Sequence, residues 1–220
     1  MTFRRWVLPA AVVVIAAAGC APEAPDYQSI WSTTPATTTT TTSTEAPVPL
    51  SAYLENLGVT GAPVAPDKLT DLTVSLPTPP GWAPYTNPNL APGTRVIAKG
   101  DTYPTAMLLV FQLEGDFDVK DALKHADGDA ELSENFKRLN GSEDNFRGFP
   151  SSMVEGTYDL NGQRMQSYNR VVVATGTPVR KNLPGQKYLI QLTVTGFAAQ
   201  AQQEGPDVEA IIRGFQVRAK

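Results

Sequence analysis

From Leu50 to the C-terminus the apolar positions repeat with two different periods. Leu50, Tyr53, Leu54 and Leu57 stand at i, i+3, i+4 and i+7 and Gly58 follows them, which predicts a helix with a glycine stop. Leu72–Leu76 alternates like a half-buried strand and breaks at Pro77–Trp82. Arg95–Lys99 reads as a further short strand. Met107–Phe111 is apolar at successive positions, the pattern of a strand covered on both faces, and it is the expected centre of a sheet. Val119, Ala122, Leu123 and Ala126 form a helical stripe that Asp118 can cap. Leu132, Phe136 and Leu139 extend helical spacing over Asp129–Leu139.

Ser151–Leu160 and Gln163–Ala174 then flank Asn161-Gly162, a strong hairpin signal. Lys187–Phe197 puts Tyr188, Ile190, Leu192 and Val194 on one face, with Gln191, Thr193 and Thr195 on the other. A helix over Pro206–Arg213 and a short strand around Phe215–Val217 close the chain. Helices at the start, middle and end with strands between them imply an α+β fold, an antiparallel β-sheet flanked by helices.

The first fifty residues follow other rules. Arg4 and Arg5 precede an apolar run from Trp6 to Ala18, interrupted at Pro9, that is too short to cross about 30 Å of hydrocarbon. It reads as a secretory signal over residues 1–19, closed by the small residues Ala17, Ala18 and Gly19. Ala17-Ala18-Gly19-Cys20 resembles the lipobox of bacterial lipoproteins, with Ala17 where Leu or Val is commoner. The resemblance implies cleavage between Gly19 and Cys20 and acylation of Cys20, the only cysteine of the chain. Residues 20–49 then carry a Thr/Ser/Pro-rich stretch with an unbroken run from Thr37 to Thr42, too poor in apolar surface to order itself, and so expected to be a disordered tether. Residues 50–220 are expected to form one globular domain.

Charge and cysteine usage narrow the partners. Loss of Arg4 and Arg5 moves the net charge from −4 to −6, which gives no electrostatic footprint for nucleic acid or for anionic headgroups. Membrane attachment therefore falls to the acyl chains on Cys20, at about 0.8 kcal/mol per buried CH₂. With Cys20 acylated, no disulfide can support the domain, which must rest on its core.

Little in the sequence carries reaction chemistry. His125 is the only histidine and lies on the polar side of its predicted helix with Asp118 and Asp121, so no multi-histidine metal site can form. Gly148-Phe149-Pro150-Ser151-Ser152 lacks the second glycine of a nucleophile elbow, and Asp127-Gly128-Asp129-Ala130-Glu131 lacks the ligand spacing of a calcium loop and reads as an inter-helix turn. No metal, cofactor or catalytic residue is expected. What remains is a surplus of large deformable or amphipathic groups outside the obvious core faces: Trp82, Tyr85, Tyr103, Phe149, Met153, Met165, Tyr168 and Phe197. Such groups can line a concave apolar surface for an alkyl chain.

Pro47-Val48-Pro49-Leu50, Leu69–Val74, Pro77–Trp82, Pro104–Leu108, Gly148–Met153 and Ile211–Phe215 together resemble the LpqN/LpqT lipoproteins of mycobacteria, most closely the LpqT-like members. That resemblance implies a PsbP-like α/β/α sandwich, anchoring in the cell envelope, no known catalytic residues, and for some members the binding of acylated trehalose glycolipids beside mycolate export. Three readings follow. The first is a tethered, non-enzymatic lipid or glycolipid binding module, working with envelope lipid-export proteins. The second is an envelope interaction protein without a small ligand. The third is a hydrolase or transferase using Ser151 or Asp127 with His125.

Overall fold

The computed structural model describes residues 46–178, 180 and 183–220. Gly19, Cys20, the signal segment and the tether before Ala46 lie outside them. The strands are Thr60–Pro63 (β1), Leu72–Ser75 (β2), Ala83–Tyr85 (β3), Arg95–Ala98 (β4), Thr105–Glu114 (β5), Lys137–Ser142 (β6), Ser151–Leu160 (β7), Gln163–Thr175 (β8), Lys187–Phe197 (β9) and Gln216–Ala219 (β10). The α-helices are Leu50–Asn56 (α1), Val119–Leu123 (α2), Gly128–Glu131 (α3) and Ala201–Gly214 (α4). Among the described residues, eight strands form one sheet in the order β3-β4-β5-β9-β8-β7-β6, with β1 beside the far end of β5. Every pairing is antiparallel. β2 and β10 form a separate two-stranded ribbon.

The alternation within each strand sorts the side chains onto two faces. On one face Leu108, Val110, Ile190, Leu192, Val194 and Val172 meet Val208, Ile211 and Ile212 of α4, with Leu72, Val74 and Val217 of the ribbon closing the same cluster. Burying each of the three α4 side chains contributes about 2 kcal/mol. On the other face Leu113, Val171 and Val173 pack against Leu50 and Leu54 of α1 and Ala122 and Leu123 of α2. Helices thus stand on both sides of an antiparallel sheet, as expected of an α/β/α arrangement.

The helix read from Leu50 ends at Asn56, leaving Leu57 exposed beyond it. Asp118 caps α2 by accepting from the Asp121 N–H at 2.9 Å. At the β7–β8 turn Asn161 and Gly162 adopt φ of 50° and 75°, the two positive values a type I′ turn requires. Three expectations need correction. The helix over Asp129–Leu139 is confined to α3: Leu132 is exposed, Asn135 turns to φ 52°, and Lys137–Ser142 pairs with β7 as an edge strand bulged at Leu139. Its apolar spacing matched a helix by coincidence. The closing helix starts at Ala201, not Pro206, and accommodates Pro206 within it. Finally, Met107–Phe111 is not buried on both faces: Leu108 and Val110 are, while Met107, Leu109 and Phe111 are only half-buried.

A candidate ligand groove on the uncovered half of the sheet

The half-burial of Met107 and Leu109 has a simple origin. α1 and α2 are short and cover only the end of their face around Leu113, Val171 and Val173. Among the described residues, no α-helix packs above the other end, where β4, β5 and β9 run side by side. Register places Met107 beside Val96 on one strand and Thr193 on the other, so these side chains share the open face. Tyr85 extends the row from β3 through its pairing with Val96.

Above this floor lies a cavity of about 340 Å³, within the size range of small-ligand sites. Its base is Val96, Met107, Thr105, Thr193 and Thr195, and its walls are Tyr85, Leu90, Thr102 and Tyr103. Tyr103 stands edge-on to Phe197 with ring centroids 5.4 Å apart, closing one end. Tyr158 stands near that wall, where burial pushes its hydroxyl pKa up and a hydrogen bond with Thr195 partly offsets the shift. At the other end Asn87 Nδ2 donates to the Tyr85 hydroxyl at 3.4 Å. A threonine row opposite a methionine, between two tyrosines, offers an apolar bed with hydroxyls along one side.

A second cavity of about 310 Å³ shares Tyr85 and Val96 with the first and is lined by Asp67, Thr86, Thr94 and Arg95. Thr94 Oγ1 is buried without a hydrogen-bond partner among the described residues. Charges of both signs and three hydroxyls, counting Tyr85, suit a neutral polar group better than an ion. A third cavity of about 400 Å³ lies elsewhere, between the loops around Asp116 and Gln186, with Asp71, Asp116 and Lys187 in its walls.

Tyr85 and Tyr103 are thus in the groove and Phe197 backs Tyr103. The remaining aromatic and methionine candidates require correction. Trp82 is buried, donating its indole N–H to Asp207 of α4 at 3.2 Å. Met153 and Tyr168 belong to the core on the α4 side, and Phe149 packs against that same core. Met165 is fully enclosed on the rung between Tyr158 and Phe197. Leu90, Val96, Met107, Thr193 and Thr195 escaped the sequence reading. The available signal is the second face of Lys187–Phe197, where Thr193 and Thr195 follow Gln191.

The residues of the hydrolytic reading are not brought together. Ser151 shares a rung with Val172 on the α4 side, where its hydroxyl donates to the Asp144 carbonyl at 2.6 Å and accepts from Arg170 at 2.9 Å. His125 lies on the opposite face, stacked on Tyr53 with centroids 4.1 Å apart. Asp127 is engaged by Arg138 at 2.6 Å and by the Ser152 hydroxyl at 3.2 Å. Among the described residues no group of three or more His, Cys, Asp or Glu side chains is placed to hold a metal.

The sequence profile of a family described as "Probable lipoprotein LpqN" matches residues 46–218, which include every residue that lines the groove. The chain belongs to this family. It is 56% identical to lipoprotein LpqT of Mycobacterium tuberculosis over 210 residues, covering 96% of this chain and 91% of that one. Identity to LpqT of Mycobacterium leprae is 52% over 213 residues, covering 96% and 95%. The proline-rich 28 kDa antigen of Mycobacterium tuberculosis is 37% identical over 174 residues, which span 77% of this chain and 54% of the antigen. Among solved structures, LpqN of Mycobacterium tuberculosis, described as involved in cell envelope biogenesis, superposes with a TM-score of 0.64 at 20% identity, covering 80% of this chain and 99% of that one. At that identity the likeness establishes the shared fold.

Proposed function

We propose that this family member is a non-enzymatic binding module of the cell envelope, held at the outer face of the cell membrane by acylated Cys20, that carries a lipid or a trehalose-type glycolipid in the groove. The observation behind this reading is the pair Met107 and Leu109. They are half-buried apolar side chains on the open face of β5, and Met107 forms part of the floor of the cavity walled by Tyr85 and Tyr103. Leaving such positions uncovered costs stability that covering them would recover, and an alkyl chain would cover them. The neighbouring cavity at Thr94 and Arg95 would take the polar end of the same molecule. The cell-envelope role given for LpqN and the lipoprotein names of the relatives support the setting, in which the ligand would pass to or from envelope lipid-export proteins.

Native mass spectrometry of the full chain purified from a mycobacterial host tests the proposal. The expected spectrum carries a lipid adduct that disappears in Met107→Arg while the far-ultraviolet circular dichroism stays that of the parent chain. A bare mass for the parent would remove the lipid reading and favour an interaction protein without a small ligand. The anchor is tested separately: radiolabelled palmitate is expected in the parent chain and not in Cys20→Ser.

A further inference from the structure

We propose that Met107 is an oxidation site on the groove floor: a peroxide converts its thioether to the sulfoxide, and the sulfoxide empties the groove of apolar ligand until it is reduced again. The loss of ligand rests on the groove being the ligand site; the selective oxidation does not.

The chain has four methionines. Met1 belongs to the predicted signal segment, and the other three lie in the domain in unlike surroundings. Met153 and Met165 are each 1% exposed, the first in the core on the α4 side and the second enclosed on the rung between Tyr158 and Phe197. An oxidant reaches such sulfurs only through an opening of the fold. Met107 is half-buried and lines the cavity of about 340 Å³, with no α-helix packed above it among the described residues. Methionine oxidation turns a flexible apolar side chain into a polar one, and access decides which thioether reacts first. In this domain that thioether is the one in the groove.

The product has a place to sit. A lone pair of the Met107 sulfur attacks one peroxide oxygen, the O–O bond breaks, a sulfur–oxygen bond forms, and the peroxide leaves as water. Sulfur gives up two electrons and the peroxide takes them. The new oxygen accepts hydrogen bonds, and hydroxyl donors stand beside it: Thr193 is paired with Met107 across one rung, Thr105 lies two positions away on the same strand face, and both line the cavity. Side chains opposed on a rung have Cβ atoms within about 5.5 Å of each other, close enough for the Thr193 hydroxyl to meet the sulfoxide. The threonines therefore let the domain survive oxidation, while the floor ceases to be apolar. An alkyl chain laid over the sulfoxide would take water from a polar group, which weakens binding by about tenfold. Conversely, a ligand lying on Met107 shields it, so an occupied groove resists the oxidant.

The test uses the full chain purified from a mycobacterial host, with hydrogen peroxide as oxidant and 11-dansylaminoundecanoic acid as probe. Peptide mass spectrometry over a time course is expected to show Met107 gaining oxygen about tenfold faster than Met153 and Met165. Equal rates at the three methionines would overturn the proposal. Once the peroxide is removed, the oxidised chain is expected to bind the probe about tenfold more weakly with its circular dichroism unchanged. Methionine sulfoxide reductases acting on both epimers should restore the parent affinity. Met107→Leu, whatever affinity it starts from, should hold that affinity through the peroxide treatment, and a loss in this variant would assign the effect to another residue and overturn the proposal. Complete conversion of Met107 with affinity unchanged would overturn it too. Met107→Arg then tells the two readings apart, since a probe lost in that variant leaves the groove standing. A parent chain that binds no probe yet oxidises first at Met107 would support the oxidation site while removing the lipid reading, and with it the loss of ligand.

Discussion

Gly156 shows how finely single positions shape the groove face. A Cβ there would sit 2.3 Å from Phe136 Cε2 and 2.9 Å from the Lys137 carbonyl oxygen, so the ring occupies the space a side chain would need. Gly156→Ala is expected to destabilise the domain by about 2 kcal/mol, read as a lower urea midpoint, because ring and edge strand must both move. Adding Phe136→Leu should recover part of that loss.

On the α4 side of the sheet the Lys99 ammonium lies 2.7 Å from Glu204 and 2.9 Å from Asp207. Its hydrogen bond keeps the Asp207 carboxyl below its usual range, and the two carboxylates raise Lys99 above its own. The Asp207 contribution is complete above about pH 4, its unfolded value, and is lost as pH falls through the lower folded one. The Lys99 contribution is complete below about pH 10 and is lost as pH rises through the higher folded value. Lys99 is partly exposed, so solvent screening limits the loss in Lys99→Met to about 1 kcal/mol near pH 7. Thermal midpoints taken across pH should show the gap between variant and parent closing at both extremes.

Residue type alone could name Tyr85 and Tyr103 as amphipathic. It could not separate them from Trp82 or Tyr168, whose polar atoms are satisfied by Asp207 and Arg170 inside the fold.

Individual elements were legible wherever pattern and local chemistry agreed. Asp118 supplies a cap, Asn161-Gly162 supplies two positive φ angles, and α1 carries its apolar face at helical spacing. Asp118→Ala is expected to cost about 1 kcal/mol by urea unfolding, since α2 is short and its first turn loses the acceptor for the Asp121 N–H. The reading failed where two periods fitted the same residues. Leu132, Phe136 and Leu139 keep helical spacing, yet Phe136 is held by Gly156 and the next residues by β7, contacts distant in sequence. The misjudged burial of Met107–Phe111 has the same source. A strand's own residues show that both faces are apolar, but whether a helix covers each face depends on how far α1 and α2 extend.

At the scale of the whole molecule the fold class was readable and the groove was not, because the groove is a shortfall of cover and not a motif. Among the described residues, one face of the sheet is closed by α4 and the β2–β10 ribbon, while helices close the other only at the end beneath α1 and α2. A ligand filling the open end would act as a missing piece of core, so its binding must appear as stability. A probe that binds only the folded state adds about 2.7 kcal/mol at a hundred times its dissociation constant. For a domain of this size each kcal/mol raises the thermal midpoint by about 2–4 °C. Saturating 11-dansylaminoundecanoic acid is therefore expected to raise the midpoint of the full chain by about 5–11 °C. The rise should vanish in Met107→Arg, which puts a charge on the groove floor, and persist in Leu132→Ser, whose side chain is already in water. A shift that survives Met107→Arg would place the probe in another cavity, such as the one between Asp71 and Lys187. Probe binding without any shift would mean that the unfolded chain takes it up as well, and that the open end of the sheet is not where it is held.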